Sequence, residues 1–148
     1  MTYDGQSALN VVAIIEFNPP KNRLEDWHGG LLDMVVLDAS GLIRQSIKSA
    51  HLALGVVSEK SFNADTAFID RADNECLLVY SDGITDGSDI NGEMLGADRF
   101  ESMLDGQVDN ALLFDRLVER VLKFGLGRPQ NDDISILEIA ATLPACSA

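Results

Sequence analysis

The chain has 148 residues, of which 46% are hydrophobic, so it is long enough to form one globular domain (1–148) with a buried core. Its 11 basic and 24 acidic residues give a net charge of −13, which argues against nucleic acid and anionic membranes as partners. The sequence shows no signal peptide pattern and no apolar run of ~18 residues that could span a membrane. Its two cysteines, Cys76 and Cys146, lack the paired spacing of a zinc site or a disulfide framework. We therefore expect a cytoplasmic protein.

The first half of the chain is predicted to form strands in three hairpins. Each hairpin consists of two apolar or alternating segments separated by turn residues such as Pro, Asn and Gly. The predicted pairs are 9–17 with 23–28, 33–38 with 42–47, and 64–70 with 75–81.

Two helices and a strand are predicted in the second half. Residues 97–104 are predicted to form a short helix, and residues 111–124 a longer one. The apolar residues of the longer helix recur at helical spacing and are predicted to lie in the core. Residues 134–140 form the last strand. Strands in hairpins, then helices, then a strand indicate an α+β fold with a mainly antiparallel sheet. The apolar positions of the longer helix are Phe114, Leu117, Val118, Val121 and Leu122.

Acidic residues lie at the ends of two predicted strands. Asp82 directly follows one strand, and Asp132 and Asp133 directly precede another. If these strands are antiparallel neighbours, Asp82 and Asp132 meet at one edge of the sheet. Gly83 and Gly87 would let the backbone turn tightly and bring its carbonyls close to an ion. Hard divalent cations such as Mg²⁺ and Mn²⁺ prefer oxygen sites of this kind.

Two other interpretations of the loop remain open at this point. Asp82, Asp86 and Asp89 could be ordinary turn aspartates that accept backbone N–H bonds. The segment that begins at Asp82 also has acidic residues at several positions of a calcium-binding EF-hand loop. However, Ile84 at the third position offers no side-chain oxygen, and the preceding residues resemble a strand.

Four stretches resemble one known family, in the same order along the chain. They are LLVYSDGITDGSDINGEMLGADRF (77–100), NDDISILEI (131–139), DWHGGLLDMVVLDASG (26–41) and LALGV (52–56). Together they resemble the C-terminal half of the SpoIIE/RsbU branch of the metal-dependent type-2C serine/threonine protein phosphatases. The resemblance covers about residues 11–140 and implies a partial type-2C-phosphatase-like antiparallel β-sandwich flanked by helices.

The resemblance also implies a two-metal site. In this family aspartates hold two Mn²⁺ or Mg²⁺ ions, and a water between them attacks a phosphoserine or phosphothreonine. By position, Asp82 and Asp132 match metal ligands, and Gly83 matches a ligand through its backbone carbonyl. Asp133 matches a position close to the site, and Asp86 matches a loop acid that we interpret as structural.

Some family features are not found in the sequence. The GGD(F/Y)xD and GDVxGHG motifs, which supply further metal aspartates, have no counterpart in residues 1–10, and two central helices are expected to be absent. His28 stands where the family has a histidine followed by prolines. We interpret it as structural, because no acid–base partner for it is evident nearby in the sequence.

These observations favour a phosphoprotein phosphatase of bacterial regulatory type, either partner-switching or response-regulator. The resemblance implies that the substrate is a phosphorylated regulatory protein, such as an anti-sigma-factor antagonist. With about half of the ligands, the chain alone is expected to be inactive. The alternative is a non-catalytic phosphatase-like module that binds a partner protein.

Overall fold

The computed structural model describes residues 11–56, 62–104, 110–127 and 132–140, and only the backbone of 110–113. Cys146 and Asn131 therefore lie outside the described residues. The described residues form two antiparallel sheets and three helices, and they group into two compact units. The first unit takes the described residues of Met1–Leu31 and Lys48–Arg71, and the second takes those of Leu32–Ile47 and Ala72–Ala148.

The strands and helices follow one another in an order close to the predicted one. The described elements are β1 (Val12–Asn18), β2 (Arg23–Gly29), β3 (Met34–Leu37), β4 (Ile43–Ile47), β5 (Ala67–Asp70), β6 (Cys76–Tyr80), α1 (Asp82–Thr85), α2 (Gly96–Ser102), α3 (Asn110–Phe124) and β7 (Ile136–Ala140).

The first unit contains a three-stranded sheet in the order β1-β2-β5. A 3-10 turn at Pro19–Lys21 joins β1 to β2, and the Asn18 side chain accepts a hydrogen bond from the Lys21 backbone N–H at 3.3 Å. The two strands pair in antiparallel register from Val12 opposite Gly29 to Asn18 opposite Arg23. This confirms the first predicted hairpin.

The second unit contains a four-stranded sheet in the order β4-β3-β6-β7, together with all three described helices. The hairpin of β3 and β4 confirms the second predicted pair, and the Asp38 carboxylate closes its turn by accepting from the backbone of Ser40 and Leu42. The core of this unit lies between the sheet and the helices. Its buried residues are Val35, Leu37, Cys76, Leu78, Tyr80, Ile84, Leu95, Phe100, Leu104, Leu117 and Val121.

The third predicted hairpin, 64–70 with 75–81, is wrong. Strand β5 pairs with β2 in the first unit, whereas β6 pairs with β3 and β7 in the second. Turn residues such as Asn74, with its left-handed φ of 64°, occur equally where a chain reverses within a sheet and where it passes to another sheet. Burial distinguishes the two strands, because β5 exposes Phe68 whereas β6 is an almost continuous buried run typical of a central strand.

Helix α3 contributes a narrower core face than predicted. Leu117 and Val121 are buried, but Leu122 is 58% exposed, so its assignment to the core is wrong. Leu122 lies about 100° around the helix from Val121, outside the stripe that faces the sheet. In the described part of the chain, no helix has the length and apolar character needed to cross a bilayer.

Candidate functional site

The candidate site lies where β6 ends and β7 begins. The two strands are antiparallel neighbours, and their ladder ends with Tyr80 opposite Ile136. Two bonds continue it: the Ser81 N–H donates to the Ser135 carbonyl at 3.0 Å, and the Ser135 N–H donates to Ser81 Oγ at 3.0 Å. The segment that begins at Asp82 is therefore held beside the segment that precedes β7, as the order of strands and acids predicted.

The two segments touch through their backbones at Gly83. A Cβ atom built on Gly83 would lie 2.9 Å from the Asp133 carbonyl carbon, closer still to the oxygen, and 3.5 Å from the Asp132 carbonyl carbon. Ser81 Oγ also donates a hydrogen bond to the Asp133 carbonyl at 3.1 Å. Only glycine leaves room for this approach, which places the backbones of Asp82 and Asp132 at the same edge of the sheet.

Asp82 opens a single helical turn, α1, where the sequence suggested a loop. Its backbone carbonyl accepts from the Asp86 N–H at 2.8 Å and from Thr85 Oγ1 at 3.1 Å. Ile84, 1% exposed, anchors the turn in the core, whereas Asp82 and Asp86 are both exposed. The acidic residues of this turn therefore lie at the solvent side of a firmly packed segment.

The two acids before β7 have different contacts. One carboxylate oxygen of Asp132 accepts the Asp133 backbone N–H at 2.7 Å, which orients the Asp132 side chain. Asp133 contacts Ser81 and Gly83 through its backbone carbonyl. Both acids are exposed. The backbone of Asp133 thus helps to form the edge at which Asp132 is placed.

The donor chemistry of this edge fits a divalent cation. Exposed carboxylates of Asp82 and Asp132, with the nearby backbone carbonyl of Gly83, are the oxygen donors that Mg²⁺ and Mn²⁺ prefer. Within the described ranges, no three His, Cys, Asp or Glu residues come together as a group that could hold a metal ion.

Asp89, in contrast, is a turn aspartate. Its carboxylate accepts from the backbone N–H groups of Glu93 and Asn91, both at 2.9 Å, and these bonds hold the pKa of the carboxyl below its usual value. The EF-hand interpretation fails, because strand β6 precedes Asp82 and helix α1 occupies the first positions of the supposed loop.

A buried acid–histidine pair on β2 was missed in the sequence. His28 Nδ1 lies 2.6 Å from Asp26 Oδ2, and both residues are 2% exposed. The prediction that His28 has no acid–base partner nearby in the sequence is therefore wrong. The available signal was the two-residue spacing, because alternate residues of a strand face the same side of the sheet.

The fold is that of part of a PP2C-type phosphatase domain. The chain is similar to the SiaA-PP2C domain of Pseudomonas aeruginosa, with a TM-score of 0.73 and 19% identity over 88% of this chain and 51% of that one. A structure of SpoIIE from Bacillus subtilis is similar with a TM-score of 0.68 and 16% identity, over 86% of this chain and 37% of that one. The RsbU and RsbW domains of a Mycobacterium tuberculosis protein are similar with a TM-score of 0.64 and 16% identity, over 86% of this chain and 35% of that one. The chain thus spans about half of these structures or less.

The sequence itself identifies the family. The model of the family Stage II sporulation protein E (SpoIIE) matches residues 6–142. The chain belongs to this family, which confirms the resemblance seen in its motifs. No curated protein matches the sequence at a significant level.

Proposed function

We propose that the chain is part of a Mn²⁺- or Mg²⁺-dependent serine/threonine phosphoprotein phosphatase domain, with Asp82 and Asp132 as metal ligands. The observation that carries the proposal is the contact of Gly83 with the Asp132–Asp133 backbone, since it keeps the two acids at one edge. Two matched structures support the choice of metal. One is a Mn-presoaked SpoIIE phosphatase domain from Bacillus subtilis, with a TM-score of 0.64 and 14% identity, and one is RsbX in complex with magnesium, at 0.57 and 11%.

Each residue of the edge has a distinct part in this proposal. Asp82 and Asp132 supply anionic oxygens, and Gly83 supplies a backbone carbonyl. The Asp133 N–H donates to the Asp132 carboxylate and orients it, and a hydrogen bond of this kind to a metal ligand improves metal affinity. Asp86, one helical turn after Asp82, serves the turn and not the metal. When bound, paired divalent cations lower the pKa of water and neutralise charge on phosphoryl oxygens.

The remaining ligands are proposed to come from the half of the domain that this chain does not span. Matched phosphatase domains are about twice as long as the matched part of this chain. Since divalent affinity follows ligand number and charge, this chain alone should bind metal weakly and hydrolyse little. The proposed substrate is a phosphorylated regulatory protein in the cytoplasm, such as an anti-sigma-factor antagonist, in a partner-switching or response-regulator pathway.

Metal titration tests the ligands. In calorimetry, Asp82→Ala and Asp132→Ala should each weaken Mn²⁺ binding at least tenfold, about 1.4 kcal/mol. Asp98→Ala removes an exposed carboxylate of α2 and is the matched control, so its affinity should stay that of the wild type. Unchanged affinity in both ligand variants, or an equal loss in the control, would contradict the assignment.

Activity separates the two functional classes. The chain should show little Mn²⁺-dependent hydrolysis of a phosphoserine peptide, and a version extended to the length of the matched domains should be active. Asp82→Asn, which keeps hydrogen bonding but removes the charge, should abolish that activity. If the extended protein is inactive with both metals but binds a partner protein equally well with Asp82→Asn, the chain is a non-catalytic binding module.

A further inference from the structure

A pocket in the first unit is lined by polar residues that the proposed phosphatase site does not use. Its volume is about 260 Å³, and the described residues that line it all belong to this unit. Asp26 and His28 of β2 are its buried residues, whereas Lys48, Asn63 and Asp65 are exposed. The small side chains of Ala50 and Ala67 leave the space open.

The walls of the pocket are fixed by specific contacts. The His51 ring stacks on Trp27, with centroids 4.9 Å apart and planes 13° apart, and His51 Nε2 lies 2.9 Å from the Asp65 carbonyl oxygen. Trp27 Nε1 donates to the Asn63 carbonyl at 2.9 Å. The Gly30 N–H donates to the His51 carbonyl at 3.1 Å, which ties this wall to the end of β2. These contacts hold the pocket residues His51, Asn63 and Asp65 in place.

Two polar atoms of the buried pair have no hydrogen-bond partner among the described residues. His28 Nδ1 and Asp26 Oδ2 bond to each other, but Asp26 Oδ1 and His28 Nε2 remain unsatisfied. A buried polar atom without a partner is unfavourable, and native proteins contain few of them. Both residues line the same pocket, so a ligand in it is a natural partner for these atoms.

The chemistry of the pair specifies a donor. An ionised carboxylate only accepts hydrogen bonds, so Asp26 Oδ1 needs an N–H or O–H group whichever protonation state His28 has. When His28 is neutral and donates from Nδ1 to Asp26, its Nε2 also accepts. We infer that this pocket binds a small molecule with a primary ammonium group, which donates to Asp26 Oδ1 and neutralises the buried carboxylate.

Two other ligand classes fit less well. An anion would meet the carboxylates of Asp26 and Asp65, and among the described residues that line the pocket one lysine, Lys48, stands against them. A metal ion is less well matched, because the described residues of the pocket offer it two unsatisfied buried donor atoms, Asp26 Oδ1 and His28 Nε2, with no third acidic, histidine or cysteine residue grouped with them. An ammonium ligand needs only one buried acceptor and gains from the second carboxylate at the rim.

The volume limits the size of the ligand. It corresponds to roughly nine water molecules at ~30 Å³ each, enough for a short aliphatic amine. The two unsatisfied atoms are closed to solvent by their neighbours, so a ligand that bonds to Asp26 Oδ1 must displace part of this cover. 1,4-Diaminobutane is a suitable probe, since one ammonium group can reach Asp26 while the other lies near Asp65.

Calorimetric titration of the whole chain with 1,4-diaminobutane tests the inference. We expect saturable binding, weakened at least tenfold by Asp26→Asn, and no saturable binding of butane-1,4-diol or inorganic phosphate. Glu16→Gln is the matched control, because it removes one negative charge from the same sheet. In the pairing of β1 with β2, Glu16 lies opposite Glu25, whereas Ile15 lies opposite Asp26. The affinity of this control should equal that of the wild type.

A second measurement needs no variant. In ¹⁵N-resolved NMR of the wild-type chain, the diamine should shift the Nε2 resonance of His28 more than that of His51, which already has a partner. This readout remains valid if Asp26→Asn fails to fold. Absence of saturable binding, equal weakening by Glu16→Gln, equal binding of the diol, or a His28 resonance that does not respond would each overturn the inference.

Discussion

Gly83→Ala tests the contact on which the candidate metal site depends. Real Cβ atoms essentially never approach a heavy atom within 3.0 Å, yet the new methyl would lie 2.9 Å from the Asp133 carbonyl carbon and nearer to its oxygen. The obstacle is backbone, which cannot rotate away as a side chain can. The segment before β7 must therefore move away from α1.

The expected magnitude follows from two opposing effects. Overpacking of this kind costs about 1–3 kcal/mol. Alanine gains about 0.5–1 kcal/mol over glycine in a helix, and Gly83 lies within α1 at a φ that alanine can adopt. The net loss in the free energy of unfolding should lie between roughly 0 and 2.5 kcal/mol, with a central value of about 1 kcal/mol. Chemical denaturation of both proteins, fitted with a common slope, measures it.

Gly125→Ala is the control for this experiment. The nearest atom to its added methyl is the Val121 carbonyl oxygen at 3.9 Å, and Gly125 has no left-handed φ, so the variant should be at least as stable as the wild type. Gly83→Ala should also weaken Mn²⁺ binding, although it removes no carboxylate, because it displaces Asp132 from Asp82. A Gly83→Ala protein with wild-type stability and Mn²⁺ affinity would refute the packing of these two segments.

Three further predictions follow from burial and charge. Leu117→Ala should lower the free energy of unfolding by about 2–5 kcal/mol, because Leu117 is 1% exposed. Leu122→Ala, at a site that is 58% exposed, should lower it by less than about 0.5 kcal/mol. Equal losses in chemical denaturation would contradict the orientation of α3. Asp89 has a lowered pKa when folded, so its stabilising effect is present above its unfolded pKa near ~4 and is lost as the pH falls through the folded value. Asp89→Asn should therefore flatten the acid limb of a plot of melting temperature against pH, and an unchanged limb would show that the turn bonds are absent. Burial raises the pKa of Tyr80 to about 12, so its stabilising effect is complete below an unfolded pKa near ~10 and is lost as the pH rises towards the folded value. Tyr80→Phe should resist alkaline unfolding better than the wild type, and ultraviolet titration showing Tyr80 ionising at the ordinary pKa would contradict its burial.

Pairings between strands that are close in sequence were predictable, and the others were not. The partners in β1–β2 and β3–β4 are joined by short turns, so local pattern and turn chemistry define both the strands and their pairing. Strand β5 also follows a recognisable pattern, but its partner β2 lies more than 40 residues earlier. Which sheet a strand joins depends on burial in the whole molecule, and turn residues carry no information about that choice.

The candidate site shows the same division between local and distant information. Acids at the end of one strand and the start of another predict a shared edge, and the β6–β7 pairing confirms that the strands are neighbours. The sequence could not show that α1 is helical, or that Gly83 contacts the backbone of Asp133. That contact joins distant segments, and a glycine in a DG pair is equally typical of an ordinary turn.

Backbone partners also explain how neighbouring aspartates come to differ in role. The Asp89 carboxylate is bound by the N–H groups of its own loop, so coordination of an ion there would have to break the turn. Asp82 instead stabilises α1 through its backbone carbonyl, and its side chain is exposed at the sheet edge. Residue type and spacing alone do not separate these two aspartates. The difference lies in whether the backbone bonds to the carboxylate or to the carbonyl, and it makes Asp82 the better candidate for a metal ligand.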